Sequence, residues 1–276
     1  ADAAAQSGKA AANSVLALLD SASESFYVAD GDRLIPTALT RGPWDAGSQH
    51  AGPPSALIAR ALEACEPREG MQIGRVTVEI LRPIPLEPLT VTARIVRPGR
   101  SVELLEASLA GPEGELMRAR AWRLEAGAGG EGGGPPPAGP EQGRQRDFFP
   151  TGQEVGYHTA MEFRFVAGSF LERGPATVWM RMRHPLIPGE PPSPLSRVLI
   201  AADSGNGVSA TLDFRRWRFI NPDLTVHVYR YPEGEWVCLD ARTSIDPAGV
   251  GIADTAPACA STVNTCLNVA SPPIAA

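Results

Sequence analysis

Two segments of this 276-residue chain recur in the same order on either side of a Gly- and Pro-rich stretch. PPSALIARALEA at 53–64 resembles PPSPLSRVLIAA at 191–202, and TVEILRP…PLTVTARIV at 77–96 resembles TLDFRRW…DLTVHVYRY at 211–231. Gly and Pro fill 11 of the 14 positions at 127–140, a composition typical of a flexible linker. The ordered repeat predicts an internal duplication, with two similar halves joined by this linker.

Each half carries one helical pattern followed by several strand patterns. Apolar residues at helical spacing follow each Pro-Pro pair, and proline at a helix start costs no hydrogen bond. Alternating residues separated by turn signals then predict an antiparallel meander. In the second half, the strand patterns lie at about 211–219, 224–231, 235–245 and 248–255. One helix followed by a meander, twice, indicates an α+β fold.

The repeat and the linker together set the predicted domain boundaries. We predict an N-terminal domain over residues 20–124, a flexible linker over 125–146 and a C-terminal domain over 147–270. At 43% hydrophobic residues, each half can build its own core.

Charge and cysteine usage limit the function classes. The formal net charge of −6 argues against a protein that mainly binds nucleic acid, and no apolar run approaches the roughly 18–20 residues of a membrane span. The Ala-rich start lacks the apolar segment of a signal peptide. The four cysteines (Cys65, Cys238, Cys259 and Cys266) form no CxxC pair, so we expect reduced thiols and a cytoplasmic protein.

Common catalytic and cofactor motifs are missing from the sequence. It contains no G-x-S-x-G for a serine nucleophile, and its four histidines show no metal-ligand spacing. We therefore expect neither a metal nor another cofactor.

The repeated segments are similar to an acyl-CoA thioesterase family. The first repeat resembles the N-terminal signature of the acyl-CoA thioesterase II family, the double-hotdog thioesterases, in the segment TRGPWDAGSQHAGPPSALIARALE. RVLIAADSGNG and TLDFRRWRFINPDLTVHVY are similar to the C-terminal hotdog of that family. The resemblance implies a double hotdog, two antiparallel sheets each wrapped around a central helix and joined side by side. It also implies hydrolysis of acyl-CoA to free fatty acid and CoA, without a covalent intermediate.

The same resemblance implies a set of site residues. The family's Asp after the second central helix matches Asp203, its Thr or Ser on the next strand matches Thr211, and its Gln on the last strand falls on Asn264. Trp44, His50 and Gly52, in the turn that opens the first helix, are the expected substrate-binding residues. By analogy with other hotdog proteins, we expect a homodimer or a higher homo-oligomer.

The residues allow this chemistry but leave alternatives open. Asp203 can act as general base or orient a water, Thr211 can fix the direction of that water, and Asn264 can hold it through its amide. Oxyanion donors are expected among backbone N–H groups at a helix start. Because Asn264 is shorter than Gln, a non-catalytic acyl-CoA- or lipid-binding protein is the alternative. A hotdog hydratase ranks last, since His50 has no Asp at the hydratase spacing.

Overall fold

The computed structural model describes residues 24–127, 138–256 and 261–270. For Arg218, Ala256 and 261–270 it describes the backbone alone. The strands are β1 (Tyr27–Asp30), β2 (Arg33–Pro36), β3 (Met71–Ile80), β4 (Thr90–Arg97), β5 (Val102–Gly111), β6 (Gly114–Glu125), β7 (Met161–Ala167), β8 (Ala176–Met182), β9 (Arg218–Ile220), β10 (Asp223–Val228), β11 (Val237–Ile245), β12 (Val250–Ala256) and β13 (Ser261–Ala270). The α-helices are α1 (Gly52–Ala64), α2 (Tyr157–Ala160), α3 (Pro194–Ala202) and α4 (Gly205–Val208).

One antiparallel sheet runs through both halves of the chain. Its strands lie in the order β4-β5-β6-β3-β10-β13-β12-β11-β8-β7, and β9 pairs with β13. The halves meet where β3 pairs with β10, with Thr77 opposite Thr225. From this junction, β6-β5-β4 on one side matches β13-β12-β11 on the other. The repeated strand order confirms the α+β double-hotdog prediction.

The two long helices carry the apolar face that this sheet covers. Leu57, Ile58 and Leu62 of α1, and Leu195 and Leu199 of α3, are buried in the core. Full burial of such a side chain contributes about 1.5–3 kcal/mol relative to exposure. The helices therefore act as the central element of each half.

The start of each helix follows from its proline pair and its cap. Pro53 and Pro54 occupy the first turn of α1. Proline has no N–H, and this costs no hydrogen bond there because N–H groups in the first turn have no partner within the helix. At α3, the Ser193 hydroxyl accepts a hydrogen bond from the Ser196 N–H at 3.0 Å. At their far ends, Cys65 and Asp203 are the C-cap residues of α1 and α3. The helix match between the repeats thus has a structural counterpart.

The strand match between the repeats is wrong. LTV at 89–91 leads into β4, whereas LTV at 224–226 lies in β10, which takes the place of β3. The predicted strand at 211–219 forms only at its end, in β9. Asp213 explains the difference, because its carboxylate accepts from the Arg215 N–H and its carbonyl accepts from the Trp217 N–H. This local turn competes with an extended strand.

The expected linker and the expected cysteine state also need correction. Residues 128–137 lie outside the described residues, but 138–146 pack on the second half. There the Ala138 carbonyl accepts from the Trp179 indole at 2.7 Å, and Arg144 pairs with Phe165. Cys238 is disulfide-bonded, so the expectation of four reduced thiols is wrong. Within the described ranges, the structure contains no helix long and apolar enough to cross a membrane.

Candidate active site

The candidate site lies where the start of α1 meets the end of α3. A Cβ atom added to Gly52 would lie 2.3 Å from the Ile200 carbonyl oxygen, so the two helix backbones approach each other there. Only glycine permits this approach. It brings His50, just before α1, to Asp203, at the end of α3.

The Asp203 carboxylate is held on both of its oxygens. Oδ2 lies 3.1 Å from His50 Nδ1, and Oδ1 accepts from the Asn221 amide at 3.0 Å. Asn221 is itself fixed, since its oxygen accepts from the Asn206 amide at 3.1 Å. The side chains of His50 and Asp203 are only 13% and 6% exposed. The carboxylate therefore has a defined orientation in a largely buried setting.

His50 has two neighbours at the same ring nitrogen. The Gly52 N–H points at Nδ1 from 3.1 Å, the same distance as the Asp203 oxygen. A protonated Nδ1 donates to Asp203, whereas an unprotonated Nδ1 accepts from Gly52. The carboxylate favours a proton on Nδ1, because a bare lone pair there would face a negative oxygen.

Burial and stacking determine the state of the His50 ring. Burial lowers the pKa of His50 below its ordinary value, and the opposing charge of Asp203 offsets only part of this effect. The imidazole stacks on the Tyr157 ring, with centroids 3.7 Å apart and planes at 9°. At neutral pH the imidazole is therefore neutral and fixed in place.

Tyr157 ties this arrangement to the end of α3. Its hydroxyl donates to the Ile200 carbonyl at 2.7 Å and lies 2.9 Å from the Ser204 hydroxyl. Burial raises the pKa of Tyr157, so the phenol keeps its proton. The α3 terminus that carries Asp203 and the ring that supports His50 thus belong to one hydrogen-bonded unit.

A cavity of about 430 Å³ opens beside the His50–Asp203 pair. Beyond the two polar groups its lining is largely apolar and aromatic. The aromatic residues in the lining are Trp44, Phe148, Phe149, Tyr157, Phe163, Phe170 and Phe219. A mainly apolar cavity with a few convergent polar groups is the usual form of a small-molecule site.

The structure brings four of the six predicted site residues together. His50, Gly52 and Asp203 meet at the helix junction, and Trp44 lines the cavity and stacks on Phe149 at 5.2 Å.

The other two predicted site residues lie on separate segments. Thr211 follows α4 in an irregular segment, and its buried hydroxyl has no hydrogen-bond partner among the described residues. Asn264 lies in β13, where its backbone is opposite Thr225 and Asp254. The Asn264 side chain is outside the described part of the structure.

Sequence reasoning missed the residues that hold the pair. Asn221 and Tyr157 carry no motif in the sequence, and their roles depend on contacts between distant segments. The Phe148–Phe149 dipeptide, an apolar aromatic pair directly after the polar residues 141–147, was the available signal for the aromatic cavity.

Fold and site together define a double-hotdog protein with a carboxylate at the junction of its central helices. The family model for the acyl-CoA thioesterase N-terminal domain matches residues 40–124, and the model for the C-terminal domain matches residues 135–256. The chain belongs to this acyl-CoA thioesterase family, which makes it a thioester hydrolase. Membership favours hydrolysis over the binding-only alternative.

Several solved structures share the fold of this chain. A putative thioesterase II from Thermobifida fusca is 17% identical with a TM-score of 0.68, covering 90% of this chain and 96% of that one. A hot dog fold protein of unknown function from Alicyclobacillus acidocaldarius is 17% identical with a TM-score of 0.66, covering 89% and 96%. A tesB protein from Mycobacterium avium is 15% identical with a TM-score of 0.62, covering 94% and 99%. A search of curated protein sequences found no match.

Proposed function

We propose that the chain hydrolyses acyl-CoA thioesters in this cavity, with a water activated by Asp203. The observation that carries the proposal is the 3.1 Å contact between His50 Nδ1 and Asp203 Oδ2 at the cavity wall. The acyl chain lies among the aromatic rings, and CoA extends through the open end. There, Leu81 and Ile220 line the cavity while remaining 46% and 54% exposed.

Neutral His50 contacts Asp203 without placing a positive charge beside it. The lowered pKa of His50 leaves the imidazole uncharged at neutral pH, so it donates one hydrogen bond without neutralising the carboxylate. Asp203 can then accept a proton from a water whose oxygen bonds to the thioester carbonyl carbon. When the tetrahedral intermediate collapses, the C–S bond breaks and the proton on Asp203 passes to the departing CoA sulfur, which leaves free fatty acid and CoA thiol. His50 and Asn221 are positioning residues in this step.

The first turn of α1 leaves few backbone donors for an oxyanion. Pro53 and Pro54 have no N–H, the Ser55 N–H is bonded to the Ala51 carbonyl, and the Gly52 N–H points at His50 Nδ1 from 3.1 Å. The expected oxyanion donor among backbone N–H groups at a helix start therefore stays a prediction without an assigned residue.

Thr211 and Asn264 are the two further residues proposed to hold the attacking water. The unpartnered hydroxyl of Thr211 has a free donor and a free acceptor, which a site water would satisfy. The amide of Asn264 is proposed to hold the same water. The expected homo-oligomer and cytoplasmic location also remain predictions.

Thiol release from a panel of acyl-CoAs tests the proposal. Asp203→Asn keeps the shape and the contact with His50 but removes the basic oxygen, and we expect kcat/KM to fall about 10²–10⁴-fold. Asp246→Asn, in the turn between β11 and β12, is the matched control and should keep full activity. Equal rates for Asp203→Asn and the wild type would remove Asp203 from the mechanism.

His50→Gln separates the two members of the pair. Its amide can still donate to Asp203, so a positioning role predicts a modest loss, well below that of Asp203→Asn. A loss as large as that of Asp203→Asn would instead identify His50 as the base.

A further inference from the structure

A second cavity lies beyond the aromatic end of the first. Its volume is about 210 Å³, and one part of its lining is apolar while the other carries charged side chains. The apolar residues are Phe170, Leu171, Ala210, Leu212 and Phe214, and the charged ones are Glu172, Arg173, Asp213 and Arg215. Phe170 lines both cavities. The Phe149 ring of the first cavity lies 4.9 Å from the Phe214 ring of the second. These three aromatic rings form the wall between the two spaces.

A series of ring contacts leads from the site to this wall. His50 stacks on Tyr157 at 3.7 Å, Tyr157 meets Phe163 at 6.4 Å, and Phe163 meets Phe170 at 5.0 Å. An acyl chain whose carbonyl lies at Asp203 would therefore follow apolar rings until it reaches Phe170.

We infer that Phe170 sets the longest acyl chain that the site accepts, by closing the route into the second cavity. The inference rests on the proposed function. The Phe170 ring is buried and packed by Phe148, Phe165 and Phe163 at centroid distances of 4.3, 4.9 and 5.0 Å. Because these rings surround it, Phe170 has little freedom to move aside for a longer chain.

Phe170→Ala should join the two cavities. Each further methylene that then leaves water and packs on the apolar side of the second cavity, against Leu212 and Phe214, strengthens binding up to roughly fourfold. We expect kcat/KM for chains longer than the wild-type optimum to rise at least about tenfold relative to the optimal chain. The measurement is thiol release across straight-chain acyl-CoAs of increasing length.

Phe165→Ala is the matched control. Phe165 is equally buried and touches Phe170, but it belongs to neither cavity lining. It removes the same ring from the same cluster and should leave the chain-length preference unchanged. Phe170→Leu shortens the same side chain with less disturbance, and thermal melting shows which variants fold.

Three results would overturn the inference. The first is an unchanged chain-length preference in a folded Phe170→Ala variant. The second applies where that variant does not fold, and is an unchanged chain-length preference in Phe170→Leu. The third is a shift in chain-length preference in Phe165→Ala as large as the shift in Phe170→Ala. A wild type that hydrolyses no acyl-CoA would instead refute the proposed function. Calorimetric binding of the same acyl-CoA series to wild type and variants would then decide the role of Phe170.

Discussion

Replacing Gly52 by alanine tests whether the helix junction controls the site. The added Cβ would lie 2.3 Å from the Ile200 carbonyl oxygen and 3.1 Å from His50 Nδ1. Ordinary contact begins at 3.4 Å, so the α1 and α3 backbones must separate by about 1.1 Å, the difference between these two distances. The neighbour is a backbone oxygen, which no side-chain rotation can move away.

The separation should affect both activity and stability. A misplacement of about 1 Å in a reacting site costs roughly 100-fold in rate, so we expect kcat/KM to fall about 100-fold in Gly52→Ala. Overpacking costs about 1–3 kcal/mol, which lowers Tm by roughly 2–4 °C for each kcal/mol. The assays are thiol release from acyl-CoA and thermal melting of the same samples.

Gly127→Ala is the control for the Gly52 variant. A Cβ at Gly127 meets no atom within 4 Å, so both activity and Tm should stay at wild-type values. A Gly52→Ala protein with lowered Tm and full activity would show that the close approach supports the fold but not the site. Full activity together with an unchanged Tm would refute the steric argument altogether.

Three further substitutions test two residues of the site and one ion pair away from it. Because burial lowers the pKa of His50, kcat/KM should fall only as pH drops through that lowered pKa, and His50→Gln should lack this limb in a pH–rate profile. Folding stability should also rise with pH between the lowered pKa and about 6.5, since the unfolded chain binds more protons there; urea unfolding at several pH values measures this. Tyr157→Phe leaves the Ile200 carbonyl without its donor and should cost about 1–3 kcal/mol in urea unfolding, with reduced kcat. Arg123→Met leaves Glu103 buried with only part of its ion pairing, so we expect a loss of up to about 3–5 kcal/mol by the same measurement, whereas a neutral result would contradict a structural role for the pair.

The parts of the fold that sequence could predict are those set by local periodicity and capping. The Pro-Pro pairs marked both helix starts, and period-2 alternation marked β3, β4 and most later strands. The segment 211–217 has the same alternation, yet hydrogen bonds to Asp213 turn it into an irregular segment. Periodicity indicates which residues can share a sheet face. It does not indicate where a local turn will take up the backbone hydrogen bonds that a strand would otherwise make.

The site was predictable only in part, for a different reason. The family resemblance supplied Asp203, Gly52 and His50, whereas the helix pattern by itself only placed them at helix ends. The contact between His50 and Asp203 joins the two halves of the chain, so the sequence of one half alone cannot predict it. Asn221 and Tyr157 matter through the same long-range packing, which leaves no trace in local sequence.

The two long helices meet at a second junction, where the end of α1 lies beside the start of α3, and the side chains explain why only the first junction carries the proposed chemistry. At the second junction the C-cap of α1 is Cys65, where α3 has Asp203. Its polar groups bind one another, since the Ser193 hydroxyl donates to Glu63 at 2.5 Å and the Cys65 carbonyl accepts from Arg123 at 2.7 Å. Burial also raises the pKa of Glu63, which disfavours its charged form. At the first junction, by contrast, the Asp203 carboxylate lines the cavity of about 430 Å³, which is why we expect one catalytic centre per chain.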